Sequence, residues 1–163
     1  MTLSGRIPDF KSHQYYPTPA AIAADAVDIA GIAEHHTVLE PSAGQGAIAE
    51  LVPSANLTCV ELSEVHAQVL TAKGHVVECG DFLKHTGRYD RIVMNPPYSE
   101  GRWNAHLQHA AKQLDDEGVL VAILPASQYG KCLVEGKTNI WHGRYSNEFA
   151  NTGIEVAILE VRA

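Results

Sequence analysis

The chain has 163 residues, enough for one compact domain with a buried core, and we expect residues 1–163 to form a single domain. A composition of 45% hydrophobic and 19% charged residues is ordinary for a folded protein and excludes a disordered chain. No apolar run is long enough to span a membrane, and the net charge of −7 argues against a uniformly basic, nucleic-acid-binding surface.

The acidic charge is uneven along the chain. Residues 21–90 carry three basic and ten acidic groups, a sum of −7, whereas residues 91–163 carry seven basic and eight acidic groups, a sum of −1. The C-terminal half is therefore the better candidate for contact with phosphates.

The N-terminal region predicts an extended segment followed by a helix. Tyr15–Pro19 alternates aromatic residues, threonine and proline, which favours extended backbone. Thr18 can cap a helix and Pro19 can open it. Apolar residues recur at helical spacing from Ala20 to about Ile32, so we expect this helix to bury one face.

A glycine-rich turn follows the first predicted strand, around Val38 and Leu39. Gly44, Gly46 and Ala49 fit the spacing G-x-G-x-x-A, and we expect a helix after the turn. Such a turn exposes backbone N–H groups and lets a ligand approach closely. A nicotinamide cofactor is one interpretation of this spacing.

Acidic side chains follow the next two predicted strands. Glu61 comes after 57–60 and before a helix that ends at Ala72, so its carboxylate can bind the two hydroxyls of a ribose or cap the helix. Asp81 and Phe82 follow 75–79. They can flank an adenine, by a hydrogen bond and by stacking, or they can form a turn with a core phenylalanine.

The sequence Asn95-Pro96-Pro97-Tyr98 ends a short apolar strand, Ile92–Met94. The Asn95 side-chain oxygen and the Pro96 carbonyl can accept both hydrogens of one amino group, and consecutive prolines stiffen the backbone that holds them. The Tyr98 ring offers a flat face on which a base can stack. The alternative is a strand-ending turn without chemistry.

The remaining elements complete an alternating pattern. We expect a mobile loop at Gly101–Trp103, a helix at 104–114, and a buried strand at 119–124 that Pro125 ends. Residues 126–150 interleave basic and aromatic side chains, which suits either a polynucleotide-binding surface or a surface loop around a core tryptophan. A final strand covers 154–161. Strands that alternate with helices predict a doubly wound, mostly parallel α/β sheet.

Cysteines and histidines predict neither disulfides nor a metal site. Cys59, Cys79 and Cys132 are unevenly spaced and contain no Cys-x-x-Cys pair, which favours buried thiols in a reducing cytoplasm. The nine histidines are scattered, and no set of acidic or cysteine partners completes a ligand sphere around them.

Together these motifs resemble the class I methyltransferases that use S-adenosylmethionine (SAM), and specifically the branch that methylates adenine N6 in DNA. The resemblance rests most on Asn95–Tyr98. It implies a Rossmann-like fold with an antiparallel C-terminal strand. It also implies a SAM site made of the residues Tyr16, Thr18, Pro19, Glu40, Pro41, Ala43, Gly44, Gly46, Glu61, Leu62, Asp81, Phe82 and Asn95.

The resemblance also implies a mechanism. The target base is flipped out and stacks on Tyr98, while Asn95 and the Pro96 carbonyl hold its amine for direct attack on the SAM methyl group. Arg102 and Trp103 follow this motif and are expected to contact the substrate. No Pro-Cys nucleophile is present, which disfavours cytosine-C5 chemistry.

One departure from the family concerns target recognition. Only 83–94 separate the Asp81 and Asn95 motifs, and little follows Leu159, so the usual recognition region is absent. Loops 99–104 and 126–150, a second protomer or a specificity partner chain would then bind the target.

Four alternatives stay open at this point. The same chemistry could act on an RNA base, at guanine N2 or adenine N6, or on a protein glutamine. The chain could instead be a non-catalytic subunit with this fold. The fourth alternative is a nicotinamide-dependent enzyme, which would leave Asn95–Tyr98 unexplained.

Overall fold

The computed structural model describes residues 17–146 and 154–163, which form one seven-stranded sheet with helices on both faces. The order across the sheet is β3-β2-β1-β4-β5-β7-β6. The first five strands pair in parallel, and β7 runs antiparallel to both β5 and β6. The strands are β1 (Val38–Pro41), β2 (Leu57–Glu61), β3 (Val76–Cys79), β4 (Tyr89–Met94), β5 (Leu114–Pro125), β6 (Thr138–Tyr145) and β7 (Val156–Arg162). The predicted fold class, with its antiparallel C-terminal strand, is confirmed.

Three α-helices cover the sheet: α1 (Ala20–Ala30), α2 (Glu64–Ala72) and α3 (Arg102–Ala111). Successive residues of β4 show how the faces divide. Val93 packs in the core beneath α1, whereas Ile92 and Met94 pack in the core beneath α3. Because side chains alternate along a strand, a continuous apolar run such as Ile92–Met94 predicts burial on both faces, and all three residues are fully buried. No helix in the described residues is long and apolar enough to cross a membrane.

The strand order reverses direction between β1 and β4. β2 follows β1 on one side of the sheet, and β4 is its parallel neighbour on the other. Loops that leave the carboxyl ends of two such strands diverge to opposite faces and leave a crevice, which is where open α/β sheets bind ligands. The glycine turn after β1 and the Asn95 motif after β4 both lie at this crevice.

The prediction of a helix after the glycine turn is wrong. Only a short 3-10 turn, Ala49–Leu51, lies between Gly46 and β2. Pro53 comes only seven residues after Gly46, and a proline inside a helix loses a backbone hydrogen bond and clashes with the preceding turn. Backbone N–H groups in this region therefore come from the turn itself rather than from the start of an α-helix.

Three further expectations need correction. Arg102 and Trp103 are not in a loop, because α3 begins at Arg102 after the 3-10 turn Ser99–Gly101. Residues 138–145 form the edge strand β6. Cys59 is buried as expected, but Cys79 and Cys132 are exposed because they lie at the sheet edge β3 and in the connection before β6.

Candidate active site

The glycine turn lies against the end of β2 and is held there by backbone hydrogen bonds. Ala43 N–H donates to the Val60 carbonyl over 3.0 Å, and Gly46 N–H donates to the Ala43 carbonyl over 3.1 Å. Ser42, Gly44 and Gly46 all have positive φ angles, of 60°, 58° and 96°. Ser42 is not a glycine, so its left-handed backbone conformation is unfavourable by itself and is maintained by the surrounding structure.

Gly46 also allows a close approach between the turn and α2. A Cβ atom at this position would lie 3.1 Å from Leu70 Cδ2. From the end of α2, Lys73 Nζ donates to the Gln45 carbonyl over 2.8 Å and pairs with Glu50 over 2.7 Å. The turn is therefore a fixed cradle rather than a loose loop.

Two buried carboxylates, Glu40 on β1 and Glu61 on β2, lie beneath this turn. Glu40 is 2% exposed and Glu61 is 7% exposed. Burial raises the pKa of Glu40 well above its usual value, and the nearby charge of Glu61 raises it further. Burial raises the pKa of Glu61 to about 7, although N–H groups of Leu62, Gly44 and Ser63 donate to it and lower the pKa. The two side chains therefore favour holding a proton near neutral pH.

Glu40 has unused hydrogen-bonding capacity. Its carboxylate accepts a bond from Ala49 N–H, but its Oε2 has no hydrogen-bond partner among the described residues. An unsatisfied buried oxygen costs about 1–3 kcal/mol. A ligand with an N–H or O–H group in the cradle would remove that cost.

The Asp81 turn lies at the end of β3. Asp81 is exposed, and its side chain accepts a bond of 2.9 Å from Leu83 N–H, which caps the 3-10 turn Phe82–Lys84. Phe82 is only 3% exposed and packs in the core beneath α3. Phe82 is therefore a core residue that follows a turn, as the alternative interpretation expected. Little of its ring is exposed to stack on an adenine. Contact of Asp81 with an adenine stays a prediction.

Asn95 follows β4 and is held by two hydroxyl groups. Its Nδ2 donates to Thr18 Oγ1 over 3.0 Å, and the Tyr98 hydroxyl lies 3.3 Å from its Oδ1. The Tyr98 hydroxyl also donates to the Ile123 carbonyl over 2.9 Å, which is the shorter of its two contacts. In this arrangement Nδ2 faces Thr18 and Oδ1 faces the Tyr98 hydroxyl, so Oδ1 is the acceptor end of the amide on the Tyr98 side.

The backbone register places Asn95 and the glycine turn at the ends of neighbouring strands. Leu39 on β1 pairs with Ile92 on β4, and each strand ends two residues later, so the glycine turn and Asn95 leave at the same edge of the sheet. Neighbouring strands are about 4.8 Å apart. The two groups predicted from separate motifs therefore adjoin each other at the crevice.

The rest of the motif and the residues that follow it are held by packing and hydrogen bonds. Pro96 is buried and Pro97 is half-buried. Burial raises the pKa of Tyr98, whose ring packs beside the core beneath α1. Arg102 donates to the carbonyl and the hydroxyl oxygen of Ser99. Trp103 packs, partly buried, against the core beneath α3.

The remaining predicted site residues are placed as follows. Pro41 ends β1 and is buried, Ala43 is 5% exposed, Leu62 is 56% exposed, and Pro19 precedes α1. No side chain caps the first turn of α1, because Thr18 accepts from Asn95 instead of acting as the predicted cap. Tyr16 lies outside the described residues. Among the residues described, no group of three histidine, cysteine, aspartate or glutamate side chains is placed to hold a metal ion.

Two further residues of this region were not assigned to the site from the sequence. His106 on α3 is 8% exposed, and its Nδ1 has no hydrogen-bond partner in the described part of the chain. Burial lowers its pKa to about 4, against the opposing charge of Asp81, so it is neutral near pH 7. Ile123 anchors Tyr98 through a backbone carbonyl, which any residue type would provide.

Comparison with known proteins finds similarity in structure only. No protein-family model matches the sequence, and no curated protein matches it significantly. TrmN from Thermus thermophilus superposes with a TM-score of 0.67 at 16% identity, covering 88% of this chain but 48% of that one. This chain thus spans about half the length of TrmN.

Two further structures cover more of their own length. A candidate RNA methyltransferase from Pyrococcus horikoshii has a TM-score of 0.66 at 20% identity and covers 92% and 84% of the two chains. Magnesium protoporphyrin IX methyltransferase from Synechocystis, solved with bound SAM, has a TM-score of 0.65 at 15% identity and covers 87% and 76%. At these identities the similarity establishes the architecture: the chain has the Rossmann-like α/β fold of these methyltransferases.

Proposed function

We propose that this chain is a SAM-dependent N-methyltransferase that methylates the exocyclic amine of a nucleic-acid base, adenine N6 in DNA. The observation that carries the proposal is the orientation of Asn95. Thr18 engages its amide nitrogen and leaves Oδ1 as an acceptor, beside a glycine turn at the switch point of the sheet. An acceptor held in this way suits an amino group that must keep its lone pair free.

The residues of the crevice fit SAM as the cofactor. Glu40 Oε2 lacks a partner among the described residues and can accept from a ligand's N–H or O–H group. Glu61 accepts three backbone N–H bonds, and because a carboxylate has about four acceptor positions, about one remains for a ribose hydroxyl. Asp81 is exposed at the end of β3, where it can meet the adenine amine. The positive φ angles of Gly44 and Gly46 shape a turn that a ligand can approach closely.

Bound SAM supplies an electrophilic methyl group on a positively charged sulfur, which departs as a neutral thioether. The chain's own contribution is positioning. With SAM bound, Asn95 Oδ1 and the Pro96 carbonyl would accept the two hydrogens of the target amine and leave its nitrogen lone pair free for the methyl group. The amine would give up one of these hydrogens to water as a proton when it gains the methyl group. Holding two reactants in this geometry replaces a bimolecular encounter and lowers the barrier by several kcal/mol, on the order of 7.

Tyr98 serves as the platform for the target base in this proposal. Its hydroxyl is held by the Ile123 carbonyl over 2.9 Å, so the ring cannot swing out of place. A flipped base stacked on this ring would have its amine next to Asn95, because the Tyr98 hydroxyl is itself 3.3 Å from Asn95 Oδ1.

The test is methyl transfer from labelled SAM to single-stranded DNA, duplex DNA, RNA and protein in parallel, followed by identification of the modified nucleoside. We expect N6-methyladenine in DNA with the wild-type chain, and none with Asn95→Ala. Label in RNA alone, or in a protein glutamine alone, would contradict the DNA assignment. Failure of the wild-type chain to bind SAM would contradict the proposal as a whole.

A further inference from the structure

A compact group of aromatic and basic side chains lies on the C-terminal part of the sheet, outside the crevice. We call Tyr129, Lys131, Trp141 and Arg144 the aromatic patch. The Arg144 guanidinium lies 4.2 Å from the centroid of the Tyr129 ring. The Tyr129 and Trp141 rings are 5.4 Å apart, and Trp141 Nε1 donates to the Lys131 carbonyl over 2.9 Å.

The patch faces solvent. Tyr129 is 39% exposed, and Arg144 and Lys131 are exposed as well. A large ring and a guanidinium with exposed flat surfaces can stack on a nucleobase. Lys131 Nζ bonds the neutral Gln128 amide oxygen over 3.2 Å, so its charge is not neutralised by that contact.

The patch lies at the same edge of the sheet as Asn95. Arg144 pairs with Ala157 on β7, and Ala157 pairs with Leu124 on β5. Met94, the last residue of β4, pairs with Ala122 on β5, so Arg144 lies within about two residues of the level at which β4 ends. Three strand spacings of about 4.8 Å separate β4 from β6, which is about 14 Å.

That separation suits a nucleic-acid strand. Stacked nucleotides rise about 3.4 Å each, so roughly four of them span the distance from the Asn95 motif to the patch. From α3, Gln108 Nε2 donates to the carbonyl of Leu133 over 2.7 Å, in the segment that also carries Lys131. Trp141 and Trp103 both pack against the core beneath α3, whereas the Tyr98 ring packs beside the core beneath α1. A strand that links the two sites would therefore cross the edge formed by the carboxyl ends of the parallel strands.

Local charge agrees with an anionic partner. Lys131 and Arg144 give the patch two positive charges, a sum of +2, in a chain of net charge −7. Glu155 lies at the same end of the sheet, where its carbonyl accepts from Ala126 N–H, and its charge reduces the local sum to +1. The patch is therefore locally positive on an otherwise acidic protein, and its basic groups lie beside aromatic rings.

We propose that the aromatic patch binds the unpaired strand that flanks the target base. This inference rests on the proposed function for its substrate class. Aromatic rings and arginine planes stack on any base, but only when the base is not paired. The patch therefore selects single-stranded or locally opened nucleic acid over a closed duplex, with little preference for sequence.

The experiment measures binding by fluorescence anisotropy of labelled single-stranded DNA, single-stranded RNA and duplex DNA of 12 nucleotides or base pairs. Two variants alter the patch, Tyr129→Ala and Arg144→Gln. Two controls make comparable changes away from the patch. Val76→Ala removes exposed apolar surface on the opposite edge strand β3, and Lys112→Gln removes one exposed positive charge next to the end of α3. Thermal unfolding of each variant checks the fold, and SAM affinity checks the crevice.

We expect each patch variant to bind single strands about tenfold more weakly, in the range of one lost stacking interaction. Arg144→Gln should also lower the slope of log affinity against log salt concentration by about 0.7. Duplex binding should be weak in every case, and the controls should match the wild type. Equal affinity of patch variants and controls for single strands would overturn the inference, as would an equal loss on duplex DNA.

The outcomes separate this inference from the proposed function. If nucleic acid is methylated while patch variants bind and methylate as the controls do, only the inference fails. If single strands bind through the patch while methyl label enters protein alone, the proposed substrate fails and the patch remains a nucleic-acid site.

Discussion

The bond between Thr18 and Asn95 gives the sharpest test of how the site works. Thr18→Val removes the acceptor of a 3.0 Å bond from Asn95 Nδ2 but keeps a side chain of similar shape. Without that bond the amide can rotate and present nitrogen in place of oxygen to the target amine. One hydrogen bond is worth about 0.5–1.5 kcal/mol net, and 1.36 kcal/mol is a factor of ten in rate.

We therefore expect kcat to fall about tenfold in Thr18→Val, with SAM affinity unchanged. The assay is steady-state methyl transfer at saturating SAM, with SAM affinity measured separately by calorimetry. Thr18→Ser restores the hydroxyl group and should recover most of the rate. Unchanged kcat in the valine variant would refute the positioning role. A weaker SAM affinity with normal kcat would instead assign Thr18 to the cofactor, as the family resemblance implies.

Three more predictions follow from the same geometry. Asn95→Ala should lower kcat by about 100-fold or more in the methyl-transfer assay, because the residue contacts the amine in the transition state. SAM affinity should stay nearly unchanged. Loss of SAM binding would place Asn95 in the cofactor site instead. Because burial raises the pKa of Glu61 to about 7 from 4.5, the folded chain keeps a proton that the unfolded chain releases. The free energy of unfolding should thus fall, by up to about 3 kcal/mol, as pH rises through that window, and urea denaturation of Glu61→Gln should show a smaller fall. Phe82→Leu should cost less than about 1.5 kcal/mol in stability and leave SAM affinity unchanged, because Phe82 is a core residue; a large loss of affinity by calorimetry would show that its ring stacks on the cofactor.

Several elements could be predicted because their signals are local. The strand at Ile92–Met94 is a continuous apolar run ended by prolines, and burial on both faces of a central parallel strand requires such a run. Alternation of strands and helices predicted the sheet. The final strand was expected to be antiparallel from the family resemblance, and it pairs antiparallel with β5.

Other elements depended on contacts that no local pattern encodes. The helix expected after Gly46 is replaced by one 3-10 turn, because Pro53 leaves too few residues for it. Edge strand β6 was missed because its residues are mostly half-buried or exposed, and a bulge between Trp141 and Arg144 breaks the alternation. Phe82 followed a plausible ligand motif, yet packing against α3 placed it in the core.

By itself the sequence determined which side chains bear the chemistry and that they follow strand ends, since these properties reside in residue types and short spacings. Tertiary structure alone decided how they act together. Thr18 and Asn95 are 77 positions apart and meet over 3.0 Å only because α1 and β4 pack on each other. Arg144 lies at the same edge of the sheet as Asn95 only because β7 pairs antiparallel with both β5 and β6, so that β6 runs in the same direction as β5. Hydrogen bonds across such distances depend on the closed core, so no stretch of sequence read alone contains them.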